Sequence, residues 1–129
     1  MGTGRSGRYL NTRGSGNGHT ITDNLHAVTQ KHPLSPSGYF GKEGSRTSVR
    51  RIESKNPQST AHDFFNKLSN GGKIENLPNG KEQKATMRDG SIIVYRPISS
   101  SDGSPAAEIR CLPKNAGLKE QKIHFTKEK

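Results

Sequence analysis

The sequence predicts an α+β domain in which N-terminal helices pack on a four- to five-stranded antiparallel sheet. Three observations lead there. Apolar residues recur at helical spacing in two early segments, the spacing changes to two after residue 73, and the alternating segments are joined by short links. Helices followed by a run of strands is the α+β order. A chain of 129 residues has room for one domain.

Residues 1–18 read as a flexible basic arm, with a Gly at every few positions and Arg5, Arg8 and Arg13 for charge. Such a segment buries too little surface to fold alone. The domain itself runs over 19–129. Its first helix is expected over 20–32, with Thr20 as N-cap and Asp23 in capping-box position. Ile21, Leu25 and Val28 share one face of it, and Pro33 ends it. Residues 33–57 read as irregular, with Gly41 to Ser45 loop-like. Within them Ser48-Val49-Arg50-Arg51-Ile52 fits a short strand or a turn of helix equally. A second helix is expected over 60–69, capped by Thr60 with Asp63 closing a capping box. Ala61, Phe64, Phe65 and Leu68 form its core-facing stripe, and Asn70-Gly71-Gly72 gives a left-handed stop.

Strands are then expected over 73–77, 83–88, 91–97, 105–112 and 119–127. Pro78-Asn79-Gly80 and the hairpin signal Asp89-Gly90 separate the first three. A Ser-rich loop over 98–104 and a turn over 113–117 separate the rest.

Composition narrows the function classes. Twenty-one Lys and Arg against 11 Asp and Glu leave a net charge of +10, which favours a polyanionic partner: RNA, DNA or an anionic membrane surface. Leu, Ile, Val and Phe total 22 of 129 residues, below the ~20% that raises suspicion of disorder, but they cluster after residue 59, so an ordered C-terminal half and a looser N-terminal half are expected. The single cysteine, Cys111, excludes an internal disulfide and a Cys-based zinc cluster. It reads as a small apolar strand residue, with a nucleophile as the alternative. No apolar run approaches the ~18 residues of a membrane span, and no signal peptide is visible; if the protein is exported, something outside this chain is expected to carry it out.

Strand alternation sorts the last two strands into faces. Ile123 and Phe125 point one way; Lys122, His124 and Thr126 point the other. Ala107, Ile109 and Cys111 oppose Glu108 and Arg110. If the apolar sets pack on the second helix, the opposite face presents Glu108, Arg110, Lys122, His124 and Thr126 to solvent. That set suits RNA self-cleavage without a metal or cofactor. A carboxylate and an imidazole move the protons, and cations stabilise the phosphorane. The bland alternative is the ordinary charged face of an antiparallel sheet.

Other residues are weighed beside this set. Tyr95 either holds a phosphate or base near the site or packs at a sheet edge. Arg96, Ser99 and Ser101 are candidate RNA contacts at the mouth of the cleft, and Arg50-Arg51 either grip phosphate or form a solvated basic pair. His19 precedes a helix N-terminus, a position that suits an anion, or is a solvated loop histidine. His26, His32 and His62 have no ligand spacing and read as structural or exposed.

Four phrases carry a resemblance. They are Gly18-His-Thr-Ile-Thr-Asp-Asn-Leu, Leu34-Ser-Pro-Ser-Gly-Tyr-Phe-Gly, the stretch from Asp89-Gly-Ser-Ile-Ile-Val-Tyr-Arg-Pro to Ser104-Pro-Ala, and Gln121-Lys-Ile-His-Phe. From Gly18 onward the chain resembles the C-terminal toxin modules of bacterial polymorphic and contact-dependent growth inhibition toxins. The resemblance implies a monomeric domain of a larger secreted or surface-delivered protein that acts in the target-cell cytoplasm. It also implies a cognate immunity protein and a barnase-like ribonuclease architecture. In such enzymes a Glu base, a His acid and Arg/Lys groups stand on the sheet, roles that Glu108, His124, Arg110 and Lys122 match by residue type and face. RNA, with tRNA favoured, is the expected substrate. The alternatives are a metal-dependent DNase toxin, disfavoured by the lack of His-Asn-His spacing and of an acidic cluster, and a non-catalytic nucleic-acid-binding module.

Overall fold

A computed structural model describes residues 19–78, 82–98, 103–114 and 116–128. The basic-arm reading of residues 1–18 lies outside them. The elements in chain order are α1 (Ile21–Thr29), β1 (Lys42–Glu43), β2 (Val49–Ser54), α2 (Pro57–Leu68), β3 (Lys73–Asn76), β4 (Gln83–Thr86), β5 (Ile92–Arg96), β6 (Ala106–Arg110) and β7 (Gln121–Lys127).

The seven strands form one sheet in the order β1-β2-β7-β6-β5-β4-β3. Every pairing is antiparallel except β2 with β7, which is parallel. This corrects the expected fold. Among the described residues two helices accompany a seven-stranded mixed sheet, not a four- to five-stranded antiparallel sheet of the barnase-like kind. The meander from β3 to β7 was legible in the sequence. Of the two strands that precede α2, β2 was one of two alternatives open for residues 48–52 and β1 fell in a segment read as loop; they cover the β7 edge that a meander alone would leave bare.

The reason lies in Arg50. Residues Val49 to Ile52 show no apolar alternation because the inward position between β2's apolar neighbours is an arginine. Arg50 is 9% exposed. Its Nε donates to Phe40 O (2.9 Å), its Nη1 to Thr47 O (3.1 Å) and its Nη2 to Gly41 O (3.0 Å), and the guanidinium lies 4.9 Å from the Tyr39 ring centre. A buried cation is tolerable when its N–H groups are satisfied in this way. The tight approach at Gly41 helps: with φ +64, a Cβ there would lie 2.3 Å from Arg51 O.

One face of the sheet packs on the helices. Ala85, Ile93, Tyr95, Ala107, Ile109, Ile123, Phe125 and Ile52 form one buried cluster with Ala61, Phe64, Phe65 and Leu68 of α2 and Ile21 and Val28 of α1. Phe64 meets Phe40 edge-on at 5.1 Å and Phe125 at 5.5 Å. Two buried amides join the layers. Asn24 Nδ2 donates to Leu68 O and Asn70 O, both at 2.8 Å, and so satisfies carbonyls that the end of α2 leaves unpaired. Gln121 accepts from Phe40 N–H and donates to Gly38 O and Lys119 O.

The Thr20–Asp23 capping box of α1 forms as expected, with both bonds present. The second helix begins earlier than expected. Asn56 is its N-cap, accepting from Ser59 N–H, and Pro57 opens the first turn. Proline suits that position because its missing N–H has no partner there anyway. Thr60 is therefore inside the helix, and Asp63 pairs with Lys67 (3.1 Å) and Lys31 (3.6 Å).

Candidate functional site

The face of the sheet turned away from the helices carries the charge. Its composition follows from register, since residues paired across strands share a face. One row runs Lys42, Arg51, His124, Ala106 and Arg96 on β1, β2, β7, β6 and β5. The next runs Val49, Lys122, Glu108, Val94 and Lys84 on β2, β7, β6, β5 and β4. Thr126 pairs with Glu53 at one end of this face and Arg110 with Ile92 at the other. The five residues expected on the outer face are on it, with Glu108 directly across from Lys122.

His124 is the enclosed member of the set. It is 7% exposed, whereas Lys122, Glu108 and Thr126 are half-buried and Arg110 is exposed. The expectation of an imidazole open to solvent is thus corrected: His124 is on the polar face but sheltered there. Its Nδ1 lies 2.9 Å from Ser104 Oγ. That contact orients the ring. The Cα neighbours of His124 are Arg51 on β2 and Ala106 on β6. Both share its row on the polar face.

Arg96 clamps the acid. Its Nη1 is 2.7 Å from Glu108 Oε1, and its Nε is 3.6 Å from Glu82 Oε2. A short charge-assisted bond of this kind fixes both side chains.

The remaining candidates separate. Tyr95 is on the helix side, stacked on Phe65 with ring centres 5.7 Å apart, and burial pushes its phenol above the usual range. Arg50 is on that side as well and serves the fold, so the phosphate-grip reading fails for it, whereas Arg51 is exposed on the outer face. His19 is also in the helix layer. Its Nδ1 lies 3.1 Å from Asn24 Oδ1, and it borders a hollow with Asp23, Asn24 and Lys67, away from the charged face. Ser99 and Ser101 lie outside the described residues.

Cys111 is exposed with φ 58, and its N–H donates to Glu120 Oε2. It belongs to the turn that follows β6, not to the strand. Among the described residues no group of three His, Cys, Asp or Glu is arranged to hold a metal ion. No helix among them is long and apolar enough to cross a membrane.

Two residues of the site were missed from sequence. Ser104 sat in a Ser-rich loop with no pattern to distinguish it. Glu82 followed a turn and had no strand face to assign.

A comparison with models of known families, with curated proteins and with solved structures finds no match to this chain.

Proposed function

We propose that the domain is a metal-independent endoribonuclease of the antibacterial toxin class, with tRNA as the favoured substrate. The observation that carries the reading is the row structure of the open face. Glu108 and Lys122 pair across β6 and β7, His124 is one row along with its ring tied to Ser104, and Arg51 and Arg96 flank them.

RNA brings its own nucleophile. In the proposed step the 2′-oxygen forms a bond to phosphorus while the bond to the 5′-oxygen breaks. Glu108 takes the 2′-hydroxyl proton and His124 gives a proton to the departing 5′-oxygen. Arg51, Lys122 and Arg96 hold the phosphate and meet the charge that gathers on its oxygens. The products are a 2′,3′-cyclic phosphate and a 5′-hydroxyl. Ser104 is a positioning residue, because it acts through His124. The +10 net charge draws the substrate in. Delivery as part of a larger protein and inhibition by a cognate immunity protein that covers this face belong to the same proposal.

Purified protein incubated with total RNA in EDTA tests it. Cleavage that leaves cyclic phosphate ends, and that His124→Ala removes, is the expected result. Intact RNA, or cutting only after Mg²⁺ is added, overturns the mechanism. Tight salt-sensitive binding without cleavage would make the domain a binding module instead.

A further inference from the structure

The proposed reaction makes no use of a cleft between the first turns of α2 and the end of β5. Its volume is about 1150 Å³. His62 of α2, Tyr95 and Ile98 at the end of β5, and Asn76 and Gln83 from the paired ends of β3 and β4 line it. Tyr95 is 7% exposed and acts as a floor. Phe65 stacks on its ring, and the His62 ring is tilted at 47° to it with centres 5.4 Å apart. His62 itself is exposed.

The polar groups divide into used and unused. Gln58 spends both ends of its amide within the wall: Oε1 accepts from the Tyr95 hydroxyl at 3.4 Å, and Nε2 donates to Pro97 O at 2.9 Å. Gln83 Nε2 donates to Asn76 Oδ1 at 3.1 Å. That bond leaves the Gln83 carbonyl as an acceptor beside the Asn76 amide as a donor. At the rim Ile98 is 70% exposed, the more exposed of the two large apolar residues that stand out among the described residues.

A supported flat ring, an exposed aliphatic side chain and an adjacent donor–acceptor pair together match a nucleobase, which has two apolar faces and an edge of alternating donors and acceptors. We infer that this cleft takes one unpaired base of an RNA strand, stacked on His62 and hydrogen-bonded along its edge by Asn76 and Gln83. The assignment of RNA as the ligand rests on the ribonuclease reading. A physical link joins the two places: Glu82 lines the cleft and pairs with Arg96, which in turn holds Glu108 on the open face.

The test titrates the intact protein with each of the four ribonucleoside 5′-monophosphates and with a 2′-O-methyl tetranucleotide that cannot be cleaved. The His62 ring signals are read by NMR and assigned with His62→Phe. They are expected to shift with the tetranucleotide, and His62→Ala is expected to weaken its binding about tenfold. His62→Phe, which keeps a ring, is expected to restore binding. In cleavage assays His62→Ala should raise KM more than it lowers kcat. If the His62 signals stay still and His62→Ala binds like wild type while RNA is still cut, the cleft inference falls and the nuclease reading stands. If RNA is left uncut yet mononucleotides move the His62 signals, the cleft stands and the nuclease reading falls.

Discussion

Single residues of one type have opposite fates in this chain, and a neighbouring side chain or carbonyl decides which. Arg50 and Arg51 are adjacent, yet one ties three backbone carbonyls together inside and the other stands beside His124 outside. Arg50→Met is therefore expected to destabilise the fold by about 3 kcal/mol, because it removes the donors to the buried Phe40 carbonyl and the part-buried Gly41 and Thr47 carbonyls. Thermal denaturation would show the loss, and RNA affinity measured below the transition should be unchanged. At the site, His124→Ala should lower cleavage by about 10²–10⁴-fold, the range of a proton-transfer group. Ser104→Ala should cost less and should alter the pH–rate profile, since it removes the partner of Nδ1 without removing the imidazole. His32 offers a pH test of stability. Burial lowers its pKa below 6.5, partly offset by Asp63 and reinforced by Lys31 and Lys67. The folded form thus resists protonation more than the unfolded chain, which binds the extra proton as pH falls. Stability is full above about 6.5 and declines on acidification from there. His32→Phe should flatten that decline in denaturant titrations run across the window.

The elements follow local rules wherever the rule needs only sequence neighbours. The capping box on α1 was legible because Thr20 and Asp23 satisfy each other within one turn. Helix α2 starts at Pro57 instead of Thr60 because Asn56 caps it one turn earlier. Asn56→Ala should accordingly cost about 1 kcal/mol, while Thr60→Ala should lose only its contact with Ser54. Phe64, fully buried and touching Phe40, Phe125 and His32, should cost about 3–5 kcal/mol when changed to Ala. Strands β3 to β7 were legible from alternation and turn residues. Strand β2 was undecided between strand and helical turn, because its inward arginine breaks the apolar rhythm, and β1 is two exposed residues with no rhythm to break.

For the whole molecule, the excess of cations is the property that acts at a distance. RNA binding should weaken steeply with salt, and Arg51→Ala and Lys122→Ala should each reduce the slope of log K against log salt by about 1. Arg110, at the far end of the face, should reduce it less if the phosphate path follows the His124 row. A filter-binding series over several salt concentrations measures all three variants. The mixed topology also places β7 in the interior of the sheet, flanked by β2 and β6. His124 is therefore held from both sides, which explains why it is more enclosed than an edge strand would leave it.

Sequence alone determined the charge, the two helices, the five consecutive strands and the sharing of one face by Glu108, Arg110, Lys122, His124 and Thr126. Each depends on composition or on period, and both are local properties. Tertiary structure alone decided that β2 lies parallel to β7, that Tyr95 and Arg50 turn inward, that Arg96 grips Glu108 and that Ser104 reaches His124. Those pairings join residues far apart in the chain, and their free energy comes from contacts that exist only once the sheet has closed around them.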